Sequence, residues 1–249
     1  MAPIHVGCPV FGYQVIDVIG VTDLLSSASR EIIGFCKQFR PIDEDTLARA
    51  PQFVFHHIGI TLEPVQLPTS GVTLVPTTTV EDCPELDILL IGGPDPVTFE
   101  LHPKFADLVR RHVAARKVLF TNCTGAAVAA STGALDGRNA TVNHVEYEWV
   151  KRRYPKVNWS RETKWVVDGN IWTASGAVAG MDMAAHWLKE KFGLDVLTEA
   201  AISLDYEPRN AEGLFEVFPK RYDSNGKQIS THEHSYHDQV LGQSHGSGT

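Results

Sequence analysis

Short apolar runs recur along the chain, and most are separated by stretches whose apolar positions have helical spacing. Ile4 to Val10 reads as a first strand. Beyond the turn at Gly12, Val15, Ile16, Val18, Ile19, Leu24 and Leu25 predict a helix. Phe53-Val54-Phe55 with Ile58 predicts a second strand, and Val72 to Val75 predicts part of a hairpin before Pro76-Thr77-Thr78-Thr79. Leu86 to Ile91 is the clearest buried strand and stops at Gly92-Gly93-Pro94. Phe105, Leu108, Val109 and Val113 then follow at helical spacing, with Pro103 suited to a first helical turn. Lys117 to Asn122 predicts the next strand. Lys164 to Val167 and Ile171 to Ala174 flank Asp168-Gly169-Asn170, a hairpin turn. After Ser175-Gly176, Val178, Met181, Ala185, Leu188 and Phe192 predict the single buried face of a last strong helix, with Asp182 and His186 off that stripe as a surface pair.

Strands alternating with helices imply an α/β fold: a mostly parallel sheet with helices on both faces. Active sites of such sheets lie beyond the carboxyl ends of the strands, where Gly92-Gly93 and Cys123 both fall. A length of 249 residues fits one domain of this class, read here as residues 1–221, followed by a polar tail over 222–249 rich in His, Ser and Gly and expected to be partly disordered. A formal net charge of -8 argues against nucleic acid and against an anionic membrane as partners. Four cysteines without a CxxC pair, no signal-like start at Met1-Ala2-Pro3-Ile4-His5 and no apolar run of spanning length lead to the expectation of a cytoplasmic protein with free thiols.

The segment Thr121-Asn122-Cys123-Thr124-Gly125 carries the strongest chemical signal. It follows the apolar Val118-Leu119-Phe120 and precedes the alanine-rich Ala126 to Ala130, an order that reads as strand, sharp turn, helix. Such a turn presents one side chain, here a thiol, at a helix start, where ionisation is expected to be easier. A free cysteine is more often structural, and Cys8, Cys36 and Cys83 fit that reading because none lies at such a junction. Gly92-Gly93 could be a plain tight turn, or could let backbone N–H groups join that of Thr124 as an oxyanion hole. Asp17 sits inside Val15-Ile16-Asp17-Val18-Ile19. Facing water it would be unremarkable in chemistry; buried, its pKa should rise and leave a neutral acid able to donate a proton. His56 and His57 are adjacent on a strand and point to opposite faces, so a shared metal is not expected, and no metal site is assigned.

Several blocks, in this order, resemble the DJ-1/PfpI (ThiJ) superfamily: Glu81-Asp82-Cys83-Pro84 with Leu86 to Gly93, Thr121 to Gly125, Gly133 to Thr141, and Asp168 to Gly176. The resemblance implies a flavodoxin-like, class I glutamine amidotransferase-like sandwich and a homodimer. Within the superfamily the chain is most similar to the isocyanide (isonitrile) hydratase branch and its fungal relatives. Thr124 follows the cysteine where the glyoxalase and protease-like branches carry histidine. The acid helix reads Ile16-Asp17-Val18-Ile19-Gly20, with Asp17 where the DJ-1 and protease-like branches carry glutamate. One departure stands out. After Ala140-Thr141 the hydratases carry threonine, histidine and tryptophan, whereas this chain has Val142-Asn143-His144. Asn143 takes the histidine's place, and His144, shifted by one, would point the other way in a strand. The segment Arg30 to Val65 is longer than in the hydratases and could remodel the pocket or a dimer contact.

The resemblance implies Cys123, Asp17 and Thr124 as catalytic residues, with Gly92, Gly93, Asn143 and His144 binding substrate or an oxyanion, and no cofactor. The expected substrate is a small electrophile. Cys123 thiolate would attack an isonitrile carbon, a neutral Asp17 would supply a proton, and water would complete an N-substituted formamide. The alternatives are a cofactor-free lyase, isomerase or cyclase on a small secondary metabolite, a glyoxalase-type activity, which Thr124 and Asn143 disfavour, and a redox-sensing stress protein.

Overall fold

The computed structural model describes residues 2–209 together with 224, 225 and 227. In chain order its elements are β1 (Ile4–Pro9), α1 (Val15–Ser27), α2 (Arg30–Cys36), α3 (Glu44–Arg49), β2 (Phe53–Gly59), β3 (Val65–Gln66), β4 (Thr73–Leu74), β5 (Thr78–Thr79), β6 (Ile88–Ile91), α4 (Pro103–Ala114), β7 (Val118–Asn122), α5 (Gly125–Ser131), β8 (Asn139–Ala140), α6 (Tyr147–Arg153), β9 (Asn158–Trp159), β10 (Trp165–Asp168), β11 (Ile171–Ala174), α7 (Ala177–Phe192) and α8 (Leu194–Leu204). Three helices, α2, α3 and α4, start where local chemistry meets their free N–H groups. Ser29 Oγ accepts from the Ile32 N–H at 3.3 Å and Asp43 Oδ2 from the Thr46 N–H at 2.8 Å, while Pro103, lacking an N–H, opens α4.

Seven strands form the central sheet in the order β10-β11-β7-β6-β1-β2-β5. All neighbours are parallel except the β10–β11 hairpin, which turns at Gly169 with φ 63. Every residue of β6 and β11 is buried, as expected of parallel strands covered on both faces. Burying each Leu or Ile of β6 stabilises the fold by about 1.5–3 kcal/mol. Phe120 of β7 holds α7 against the sheet through an edge contact with Trp187, with centroids 5.8 Å apart. The chain winds outward from β1 in both directions, so the β1–β6 boundary is the topological switch point. Among the described residues no helix is long and apolar enough to cross a membrane.

Two expectations change, and one segment left open by the sequence is placed. First, α8 follows the helix expected to be last, and α7 packs against α1 and α8 as well as the sheet. Its buried side is therefore wider than the Val178–Phe192 stripe: Ala185 and Leu188 of that stripe are buried, Val178 is exposed, and Gly180, Asp182, Met183, Ala184 and Trp187 are buried beside them. Second, Asp182 is not a surface residue. It is fully buried, accepts from the Tyr206 hydroxyl and from the Arg209 N–H at 3.0 Å, and pairs with Arg209 Nε at 3.3 Å, while His186 pairs with Glu190 at 3.0 Å. Asp182 thus staples the strand-like exit from α8 onto α7. Third, much of the long segment Arg30 to Val65 docks on α8. Arg40 pairs with Glu199, and both Arg49 and Thr46 bond Asp195, the latter at 2.9 Å. The boundary at residue 221 and nearly all of the tail over 222–249 lie outside the described residues.

Candidate active site

Cys123 sits between the end of β7 and α5 with φ 56, the left-handed region that a residue with a Cβ normally avoids. Such a conformation costs on the order of 1–3 kcal/mol and persists because its surroundings fix it. The Cys123 N–H donates to the Ala174 carbonyl at 3.1 Å, tying the turn to β11. On its other side Gly125 lies so near β6 that a Cβ there would sit 2.3 Å from the Ile91 carbonyl oxygen. The strand-turn-helix reading of Thr121 to Gly125 holds in detail, and it makes the thiol project from the carboxyl edge of the sheet.

Asp17 reaches the same place from the first turn of α1. It is fully buried, which settles the choice between a water-facing and a buried carboxyl. The Gly93 N–H donates to its Oδ2 at 2.8 Å, and its Oδ1 has no hydrogen-bond partner. The Gln14 N–H to Gly93 carbonyl bond, 3.0 Å, zips the start of α1 to the loop after β6. Asn122 Nδ2 donates to the Asp17 carbonyl at 2.6 Å. The acid therefore bridges the β1–β6 switch point. Burial pushes its pKa from 3.8 up to about 6, with the Gly93 N–H pulling the other way.

These contacts reassign several expected roles. The Gly93 N–H faces Asp17 and not an open oxyanion position. A Cβ on Gly93 would meet Thr124 Oγ1 at 2.5 Å and Thr124 N at 2.7 Å, so glycine is required there for close packing of the two loops. Gly92 is likewise a packing position, 2.8 Å from Val18 Cγ2 to a built Cβ. Thr124 is buried and its hydroxyl donates to the Pro94 carbonyl at 2.6 Å, which bolts the loop after β6 to the cysteine turn. Asn143 Nδ2 donates to Cys123 Sγ at 3.2 Å. Its Oδ1 accepts from the Val145 N–H at 2.8 Å, an Asx turn, so residues 143–146 form a turn and the strand alternation expected for His144 does not apply. His144 is exposed, and the side-chain hydrogen bond to the sulfur comes from Asn143 in its place.

The thiol is not eased into ionisation as the turn motif suggests. Burial, then the Asp17 carboxylate, push Cys123 up to about 11; the Thr124 N–H and the Asn143 amide oppose this, and Glu146 adds to it. Seven-residue α5 supplies too little to outweigh desolvation and a nearby negative charge. Between about pH 6 and 11 Asp17 is thus ionised while Cys123 keeps its proton on sulfur. The expected pair, a thiolate beside a neutral acid, contains the same single proton placed on the other atom. Of the other cysteines, Cys8 is fully buried with its thiol pushed up to about 12, and burial raises half-buried Cys83 to about 11.

Two residues at the site escape a reading of the sequence. Asn122 holds α1 through Asp17 and presses on α7, where a Cβ on Gly180 would lie 2.2 Å from its amide. A polar residue closing a buried strand is its only signal. Glu146, just before α6, acts on the thiol electrostatically and has no motif to mark it. Among the described residues no group of three His, Cys, Asp or Glu side chains could hold a metal ion.

A sequence profile of the DJ-1/PfpI family matches residues 46–190, which include the cysteine turn and both halves of the Thr141–Asn143 segment. The chain belongs to the DJ-1/PfpI family. Its relatives within and around that family differ in what they are named for. An isonitrile hydratase of Pseudomonas putida is 32% identical over 166 residues, 66% of this chain and 71% of the hydratase. An HTH-type transcriptional regulator, GlxA, of Rhizobium meliloti (strain 1021) is 36% identical over 72 residues, covering 29% of this chain but only 22% of the regulator. In architecture the chain is similar to Drosophila melanogaster DJ-1beta, with a TM-score of 0.64 and 17% identity over 82% of this chain and 99% of that one. That likeness concerns the fold, a flavodoxin-like sheet flanked by helices.

Proposed function

We propose that this DJ-1/PfpI protein is a cofactor-independent hydratase that adds water to a small isonitrile, giving an N-substituted formamide. The observation that carries the proposal is Cys123 on a strained turn, with the buried Asp17 carboxyl acting electrostatically on its thiol, in a chain similar to an isonitrile hydratase over two-thirds of its length. In the first step Asp17 carboxylate takes the thiol proton as Cys123 Sγ attacks the isonitrile carbon, and returns that proton to the same carbon. One S–C and one C–H bond form, leaving a thioimidate. Asp17, again a carboxylate, then removes a proton from water as its oxygen attacks the carbon and passes that proton to the nitrogen. Collapse of this adduct breaks the S–C bond and releases the formamide, while the hydroxyl proton passes through Asp17 to sulfur and restores the thiol. Thr124 N–H and the Asn143 amide, which already address the sulfur, would stabilise charge that builds there. Acid–base help of this kind is worth roughly 100- to 10,000-fold.

A second reading is favoured by one observation, the thiol held protonated near neutrality. Cys123 would then act as a proton donor, with Asp17 as base, in a lyase, isomerase or cyclase without a covalent adduct. The two readings part on one experiment. Wild type and Cys123→Ala are tested with cyclohexyl isonitrile, methylglyoxal and a blank, followed by mass spectrometry of quenched enzyme. Hydration by the wild type, none by the variant and a Cys123 adduct support the first reading. Full turnover by Cys123→Ala overturns it. A net charge of -8 supports a role without nucleic acid, and we extend the proposal to a cytoplasmic homodimer.

A further inference from the structure

The reaction above makes no use of Glu146. Its carboxyl sits at the start of α6, where its side chain makes no capping hydrogen bond. Oε2 is buried and has no hydrogen-bond partner. The turn that carries it is fixed at the reacting sulfur, because Asn143 bonds Sγ at 3.2 Å with one end of its amide and the Val145 N–H at 2.8 Å with the other. Its charge acts on the thiol, as does that of Asp17, whose Oδ1 is a second buried oxygen without a partner. Arg161, a basic side chain of the same region, is engaged elsewhere: it lies over the Tyr147 ring at 5.3 Å and pairs with Glu148 at 3.6 Å.

Ionised carboxylates only accept hydrogen bonds, and a buried acceptor without a donor costs free energy until something supplies one. We propose that Glu146 is a specificity-determining residue that selects small substrates bearing a cationic N–H donor, such as a primary ammonium, beside the carbon that Cys123 attacks. Carboxylate-bearing substrates are rejected at the same place by like charge. The inference rests on Cys123 as the reacting atom, and its test does not require isonitrile turnover.

Cys123 is modified at pH 7 with aminoethyl, sulfonatoethyl and methyl methanethiosulfonate, which are cationic, anionic and neutral. In each case sulfur forms a mixed disulfide and expels methanesulfinate. Rates at Cys123 are read by peptide mass mapping and divided by those of a free small thiol. The wild type is expected to prefer the cationic over the anionic reagent by roughly tenfold or more. Glu146→Gln should shrink that ratio to within about threefold, and Glu146→Asp, which keeps the charge, should retain most of it. An unchanged ratio in Glu146→Gln, an anionic preference in the wild type, or no modification of Cys123 by any reagent overturns the proposal. A cationic preference lost in Glu146→Gln, in a protein that hydrates no isonitrile, overturns the proposed reaction and leaves this inference standing.

Discussion

Replacing Asp17 with Asn should uncouple stability from activity, and pH should reveal the cause. The folded protein holds the Asp17 proton more tightly than the unfolded chain does, with a pKa of about 6 against 3.8. Below pH 3.8 the carboxyl is neutral in both states and costs nothing. As pH rises through that window the unfolded chain ionises first, so wild-type stability falls until the folded carboxyl also ionises near pH 6, and is then flat. The gap corresponds to about 3 kcal/mol. Asn has nothing to titrate, so the stability of Asp17→Asn relative to wild type should climb by about 2.4 kcal/mol between pH 4 and 7, the rest of the gap lying below pH 4. For a domain of this size that is a relative gain of about 5–10 °C in Tm. The absolute offset is a separate quantity, because the new amide N–H would lie where Oδ1 now lacks a partner. The test therefore reads the change with pH, by urea unfolding of both proteins at pH 4, 5, 6, 7 and 8. Every other titrating group is common to the pair and cancels. A difference that stays flat to within about 1 kcal/mol across this range would refute the claim that burial of this carboxyl governs its chemistry. The same variant should lose roughly 100- to 10,000-fold in isonitrile turnover.

Other consequences are equally direct. The kcat/KM profile should be bell-shaped, rising through about pH 6 as Asp17 becomes the base and falling toward about pH 11 as the thiol loses its proton; a limb near pH 8 would mark a different pair. Gly93→Ala forces a Cβ to within 2.7 Å of the Thr124 backbone N and 3.0 Å of Asp17 Oδ2, so it should cost about 1–3 kcal/mol by chemical unfolding and most of the activity, and wild-type values for both would contradict the packing described. Asp182→Ala removes the acceptor of the Tyr206 hydroxyl and the Arg209 N–H. It should speed limited proteolysis just beyond α8 while leaving the rate of Cys123 alkylation as in the wild type, and no change in proteolysis would speak against the staple.

What could be read from sequence was set by strong local pattern. The buried run at Leu86 to Ile91, Pro103 at a helix start and the Asp168-Gly169-Asn170 turn each depend on neighbours in the chain, and each appears as expected. The outline of the site was legible for the same reason: the cysteine turn and the acid helix carry their own signatures. The failures are of another kind. Periodicity finds only part of the buried face of α7, including Ala185 and Leu188, because it assumes one partner, and α7 has the sheet on one side and two helices on others. Asp182 was read as exposed because the partners that pay for its burial, Tyr206 and Arg209, lie beyond the next helix. Glu146 left no trace because its effect is carried by space, not spacing.

The thiol shows why position on a turn is not enough to infer reactivity. A helix start and two N–H donors favour the thiolate, yet desolvation and a neighbouring carboxylate outweigh them, and the sulfur keeps its proton near neutrality. Had the chain carried histidine at position 143, an imidazolium could have reversed that balance and stored a thiolate. Asn143 cannot: it offers an N–H but no charge, so it can hold the sulfur without ionising it. The proton must then leave sulfur when the substrate arrives, and the base placed to receive it is Asp17, whose pKa of about 6 leaves it ionised at pH 7 but ready to be protonated. A site of this design keeps its cysteine quiet toward general electrophiles and oxidants at rest, since both act on the thiolate. Peroxide oxidation of Cys123 at pH 7 should accordingly be slower in the wild type than in an Asn143→His variant, and a wild-type rate equal to or above that of the variant would remove the argument for a guarded thiol.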